Sequence, residues 1–365
     1  AERTWKENSV APPPQDYGCR GLVQLAFLLD TSGSMDGLIA QAKSQLWKIV
    51  NELNASGKGG SSPAIEVALY EYGKASLPET SGFIRQIVPF TAELDKVSKE
   101  LFSLSTDGGE EYAGWVLKEA VSSLRWSKKT DVYKAIFIAG NEPFTQGPVD
   151  FREASALAKA KGIFVNTIFC GPRQQGIAMQ WKAGAELADG DYLDIDQNVR
   201  VVQVQAPQDD QIVKLGSQLN ETNVPLGRGG RQALELRKEV AAQMAPLGAA
   251  ASADMAAARA RETSQASSSW DLVSALESGT LKRSDIKREQ LPKELQGMDE
   301  NQLTKHLDSK LAERKSVREQ ISRLQEDRRV YLAQQEKVSA QAGTLDRAMI
   351  DAIRKQASAR GFTFK

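Results

Sequence analysis

Residues 22 to 29, Leu-Val-Gln-Leu-Ala-Phe-Leu-Leu, form a short apolar run that stops abruptly at Asp30. Its length and composition fit a strand buried on both faces, as in a sheet covered by helices. The residues that follow, Thr31-Ser32-Gly33-Ser34-Met35, place one carboxylate and two hydroxyls in a tight loop at the strand's carboxyl end. Oxygen-only ligands of this kind suit a hard divalent cation, Mg²⁺ first and Mn²⁺ or Ca²⁺ after it. The same residues also suit a plainer task, since Ser34 or Asp36 can cap a helix from Gly37 onwards.

Downstream, apolar strands alternate with amphipathic helices. Strands are expected at 22–29, 64–72, 83–90, 132–138, 163–169 and 191–195. Helices are expected at 37–54, 93–104, 112–125, 152–161 and 177–188. This alternation indicates an α/β fold, a Rossmann-like doubly wound and mainly parallel sheet flanked by helices. In such sheets ligands sit at the carboxyl ends of the strands, where the strand order reverses. The Gly/Ser-rich stretch 54–63 lacks the Gly-Lys-Ser/Thr ending of a phosphate cradle and reads as a loop.

The strand followed by Asp30-x-Ser32-x-Ser34 resembles the metal-ion-dependent adhesion site of von Willebrand factor type A domains, and the resemblance spans roughly residues 20 to 200. It implies a cation with one open coordination position that an acidic side chain of a partner protein completes. A second loop of the family's site corresponds to Ser105-Thr106-Asp107-Gly108-Gly109-Glu110-Glu111. Glu110, just after the glycine pair, is the stronger match, Thr106 assists through water, and Asp107 is a neighbouring candidate. Alternatively, Glu110 and Glu111 simply favour the positive end of the following helix. The third loop departs from the family pattern, because Gly140 in Ala139-Gly140-Asn141-Glu142-Pro143 stands where an Asp is usual. Glu110 could restore the missing negative charge, or Asn141 could offer a neutral oxygen.

The chain's 365 residues allow one sizeable core plus a second unit. The expected division is an extended segment at 1–20 containing Pro12-Pro13-Pro14, the α/β domain at 21–200, a linker at 201–230 with a short helix, and an α-helical region at 231–365. In the last, an Ala-rich helix over 231–261 is interrupted near Pro246, and a short helix follows Ser267-Ser268-Ser269-Trp270. Trp270 is expected as a core anchor. Asp299 and Gln302 form a capping pair for a helix of about forty residues. Leu307, Leu311, Val317, Ile321, Leu324, Tyr331 and Val338 make an apolar stripe that Arg314 and Arg328 interrupt. The stripe suggests a helical hairpin or imperfect coiled coil, serving either as packing for the sheet domain or as an arm for a partner or a second copy. A final helix from Thr344 to about Ala359 is capped by Gly361.

Lys and Arg total 47 and Asp and Glu total 47, so no overall field favours nucleic acid or an anionic membrane. The longest apolar run is far short of the roughly 18 residues a transmembrane helix needs. A beginning at Ala1 without Met suits a processed, extracytoplasmic bacterial protein or a trimmed chain. Cys19 and Cys170 fall at opposite ends of parallel strands, over about 20 Å apart, whereas a disulfide needs Cα atoms within about 7 Å. No bridge between them is expected.

His306 is the only histidine and lies on a helix surface, which argues against zinc or His-based catalysis. Cys170 follows a strand but has no base beside it. The sequence therefore points to a non-enzymatic, protein-binding module of adhesion or scaffold type. Two alternatives stay open: a non-catalytic partner subunit of a chelatase or MoxR-type ATPase, and an envelope structural protein with a decayed metal site.

Overall fold

The computed structural model describes residues 21–58, 62–196, 204–336 and 345–364. The expected lead-in over 1–20, Cys19 with its half of the disulfide question, Val338 and Thr344 lie outside the described residues.

Six strands form one sheet: β1 (Leu22–Asp30), β2 (Ala64–Tyr72), β3 (Ile84–Thr91), β4 (Tyr133–Gly140), β5 (Phe164–Cys170) and β6 (Tyr192–Ile195). Their order is β3-β2-β1-β4-β5-β6. All pairs are parallel except β2 with β3, which is antiparallel. Only Leu22 of β1 escapes full burial, because helices cover both faces. Alternation along the strand supplies two cores: Val23, Leu25, Phe27 and Leu29 join one cluster, and Ala26 and Leu28 the other.

In the α/β part the helices are α1 (Asp36–Ala55), α2 (Leu94–Phe102), α3 (Ala113–Ser123), α4 (Phe151–Ala160), α5 (Arg173–Ala178) and α6 (Trp181–Glu186). The single helix expected over 177–188 is two, because Gln180 takes a left-handed backbone at φ 70° and breaks the path. Beyond the sheet come α7 (Asp209–Glu221), α8 (Gly227–Met244), α9 (Ala249–Arg261), α10 (Ser264–Ser267), α11 (Leu272–Glu277), α12 (Lys293–Gln296), α13 (Glu300–Glu336) and α14 (Leu345–Ser358).

The helical region packs on the sheet domain. Every residue of α9 from Ala250 to Ala260 is buried, and its small side chains let neighbouring helices approach closely. A Cβ on Gly216 of α7 would lie 2.6 Å from the Cβ of Ala256. From α1, Asn51 Nδ2 donates to the Asp254 carbonyl at 2.8 Å. Helix α14 returns to α1 and to the sheet, placing Leu345, Met349 and Ile353, with Phe362 just beyond the helix, in the same core as β1.

The apolar stripe of α13 is covered by short helices of the same chain: Val317 and Ile321 meet α7 and α9, and Leu303 and Leu307 meet α11. Among the described residues the stripe thus packs on several short helices rather than along one long partner helix. Arg314 and Arg328 do not interrupt the stripe; both are buried within it. Arg314 donates to Asp271 Oδ2 at 2.7 Å, Ser274 Oγ at 2.8 Å, Thr222 Oγ1 at 2.9 Å, Asn223 Oδ1 at 2.9 Å and the Thr222 carbonyl at 3.0 Å. Arg328 joins Asp209 and Asp254, each at 2.6 Å. The expected capping pair forms in both directions, with Asp299 N donating to Gln302 Oε1 at 3.0 Å and Gln302 N donating to Asp299 Oδ1 at 2.8 Å. Trp270 is buried beneath the Arg237 guanidinium.

Candidate functional site

The chain leaves β1 toward β2 on one side and continues from β4 to β5 on the other, so the carboxyl ends of β1 and β4 flank a switch in strand order. Asp30 ends β1 and Gly140 ends β4. Backbone bonds tie the loops together there: Thr31 N donates to the Tyr72 carbonyl at 2.9 Å, and Asp107 N donates to the Thr31 carbonyl at 3.0 Å. The Asp30 and Asn141 loops and the loop preceding α3 thus converge on one rim.

Asp30 is fully buried. Its Oδ1 accepts from Ser32 N at 2.7 Å, while its Oδ2 has no hydrogen-bond partner. Ser32 Oγ and Ser34 Oγ stand 3.4 Å apart. Asn141 Nδ2 donates to Ser34 Oγ at 3.1 Å, leaving its buried Oδ1 also without a partner. Burial pushes the Asp30 carboxyl up to about 7 against the opposing bonds from Ser32, and Glu111 and Glu142 push it the same way. Burial likewise raises Glu111 to about 7, with Glu142 adding to it and Ser32 opposing. Two carboxyls thus sit beside one serine, each carrying the cost of a buried negative charge.

Of the residues singled out in the sequence, Asp30, Ser32 and Ser34 come together. Glu110 does not join them; it is exposed, and its Oε2 accepts from Gln146 Nε2 at 2.9 Å. Glu111 takes that place, buried beside Asp30. Thr106 Oγ1 donates to Asp36 Oδ1 at 2.5 Å, which fastens the loop to the start of α1. Chain direction into α3 turns consecutive side chains opposite ways, so only one of the two glutamates can face inward. Nothing local in the sequence marks which one.

Gly140 has a steric cause. A Cβ there would lie 2.5 Å from the Tyr72 hydroxyl and 3.0 Å from Asp30 Oδ2, and that hydroxyl donates to the Ala139 carbonyl at 3.0 Å. Tyr72 therefore fills the space from which an aspartate would start. Gly73, at φ 80°, is similarly required, since a Cβ would meet Glu111 Cγ at 2.8 Å and Asp30 Oδ1 at 2.9 Å.

Among the described residues, no three His, Cys, Asp or Glu side chains form a metal cage. The set at this rim is instead mixed: carboxylates from Asp30 and Glu111, hydroxyls from Ser32 and Ser34, and an amide oxygen from Asn141. Two orphaned buried oxygens and the all-oxygen chemistry fit a hard dication, which would relieve the charge burden on both carboxyls.

Residues 24–179 match the family model of the von Willebrand factor type A domain. No curated protein matches the chain. Among solved structures, BatB from Bacteroides thetaiotaomicron is similar at 19% identity and a TM-score of 0.36, over 48% of this chain and 90% of that one. Proximal thread matrix protein 1 of the mussel byssus, solved with a zinc-occupied MIDAS motif, gives 15% and 0.36 over 48% of this chain and 42% of its own. The SpRpn10 VWA domain gives 14% and 0.36, over 48% and 88%.

Proposed function

Because residues 24–179 match the family model of the von Willebrand factor type A domain, we propose that this chain is a non-enzymatic protein-interaction module whose rim site holds a divalent cation, Mg²⁺ in first place. Asp30, Ser32 and Ser34 would hold the ion, with Glu111 as the second carboxylate and Asn141 offering its amide oxygen. Bound there, the ion neutralises the buried carboxylates and offers a partner protein's oxygen ligand a point of attachment. The single observation that carries this reading is Asp30 Oδ2, fully buried and without a partner. A buried carboxylate oxygen left unsatisfied costs stability unless another group completes it.

Calorimetric titration with Mg²⁺ tests the proposal. The wild-type chain is expected to bind with a measurable heat and Asp30→Ala to show none; equal heats from both proteins reject the reading. Glu111→Gln should weaken binding by about tenfold or more, whereas Glu110→Gln should leave it nearly unchanged. The reverse order would restore Glu110 as the ligand.

A further inference from the structure

A ring of exposed acids surrounds the Asp30 site. Asp36 begins α1, Asp107 and Glu110 lie in the loop before α3, and Glu142 follows β4; all four are exposed. The loop at Asp107-Gly108 packs over Gly33, and the Thr106 bond holds Asp36 beside it. Two nearby bases are engaged by oxygens of the same loop: Lys74 Nζ donates to Ser105 Oγ at 2.8 Å, and Lys43 Nζ donates to the Leu104 carbonyl at 3.2 Å. The formal net charge of the chain is +0, so this negative rim is a local feature and not part of a general field. At its floor lies the unpartnered Oδ2 of fully buried Asp30.

An aromatic shelf adjoins the ring. Tyr112 follows Glu111 directly, stacks on Trp115 with centroids 6.2 Å apart and planes at 2°, and meets Phe83 edge-on at 5.7 Å. All three are partly exposed. Phe83 holds φ 55°, a costly backbone for a bulky residue. Among the described residues seven other rings carry a Lys or Arg over their faces, and these three carry none.

We propose that ring and shelf together form one docking surface for a basic segment of a partner protein. Its Arg or Lys side chains pair with Asp36, Asp107, Glu110 and Glu142 and lie against the partly exposed Tyr112 and Trp115 rings, on the sides that Gly147 and Gly82 do not cover, while one oxygen ligand from the same segment reaches the cation. Only this last contact rests on the cation reading. Charge complementarity selects the occupant, since the four rim acids outnumber Lys43 and Lys74 and a segment carrying acids beyond its liganding group meets mainly like charge. Aromatic faces favour the same cations.

The test uses the full chain and two synthetic peptides on a Ser/Gly frame with one central Glu, one bearing arginines around it and the other aspartates. In buffer with Mg²⁺, the arginine peptide is expected to bind about tenfold or more tighter than the aspartate peptide, and to weaken as salt is raised. Removing two rim charges with Asp107→Asn and Glu110→Gln, both exposed and outside the proposed ion shell, should reduce that affinity about five- to tenfold. Tyr112→Leu should reduce it as well, with thermal melts checking that the variants are folded. Equal or tighter binding of the aspartate peptide overturns the proposal, and so does arginine-peptide binding that the rim variants do not change. A chain that prefers the arginine peptide but gives no heat with Mg²⁺ alone retains the docking surface and loses the cation reading.

Discussion

At the scale of single residues, the site is set by which atoms have room beside Asp30. Gly140→Ala drives a Cβ against the Tyr72 hydroxyl and Asp30 Oδ2, and is expected to cost about 1–3 kcal/mol of stability. Adding Tyr72→Phe removes the nearer clash, so the double variant should be less destabilised than the sum of the two single changes. A double-mutant cycle from urea midpoints measures this coupling. Titration provides a second check. Asp30 and Glu111 keep their protons in the fold to about pH 7, whereas in the unfolded chain they release them near pH 4. Over that interval the folded state binds more protons, so its stability falls as pH rises. With a chelator present, the site's contribution should lower the urea midpoint from pH 5 to pH 8, and Asp30→Asn should flatten that trend. Mg²⁺ requires both groups ionised, so its affinity should rise over the same range.

At the scale of elements, buried guanidinium–carboxylate clusters fix how the helices meet. Arg328 of α13 joins Asp209 of α7 to Asp254 of α9. Asp95 of α2 is bound by Arg237 of α8 and Arg259 of α9, tying the sheet domain to the helical region. Such a cluster contributes little net stability when complete, but losing one member strands the rest in a dry interior. Arg328→Met, which keeps an unbranched apolar stem and removes the guanidinium, leaves two buried carboxylates without their cation and should cost about 3–5 kcal/mol. Thermal unfolding reads this directly. A loss below about 1 kcal/mol would mean that water reaches Asp209 and Asp254.

For the whole molecule, sheet and helices share one interior. Helix α14 lies far along the chain from β1, yet Leu345, Met349, Ile353 and Phe362 sit in the core cluster that lines β1 and α1. Gln356, also on α14, is hydrogen-bonded to Asn166 of β5 and accepts from the Tyr133 hydroxyl of β4 at 3.0 Å. Each buried large apolar side chain contributes about 1.5–3 kcal/mol, so ending the chain at Glu336 removes roughly 6–12 kcal/mol for these four. That is comparable to the stability of an ordinary domain. The shortened chain should melt far below the full one or lose cooperative unfolding, as scanning calorimetry would show. An unchanged melt would make α14 an appendage.

Much of this was legible in the sequence, because strands and amphipathic helices announce themselves through the local spacing of apolar residues. The alternation of elements, the Asp30-Ser32-Ser34 loop at a strand end and the Asp299–Gln302 cap all depend on neighbours a few residues away. The tertiary structure alone decided the rest. Glu111 rather than Glu110 faces Asp30 because Gly73, just after β2, leaves room for it. Gly140 stands where an aspartate is usual because Tyr72 occupies the space. Arg314 and Arg328 look like breaks in a stripe until carboxylates from distant helices fold around them. In each case the deciding partner is remote along the chain, and burial, charge and excluded volume act between residues only once folding has brought them together.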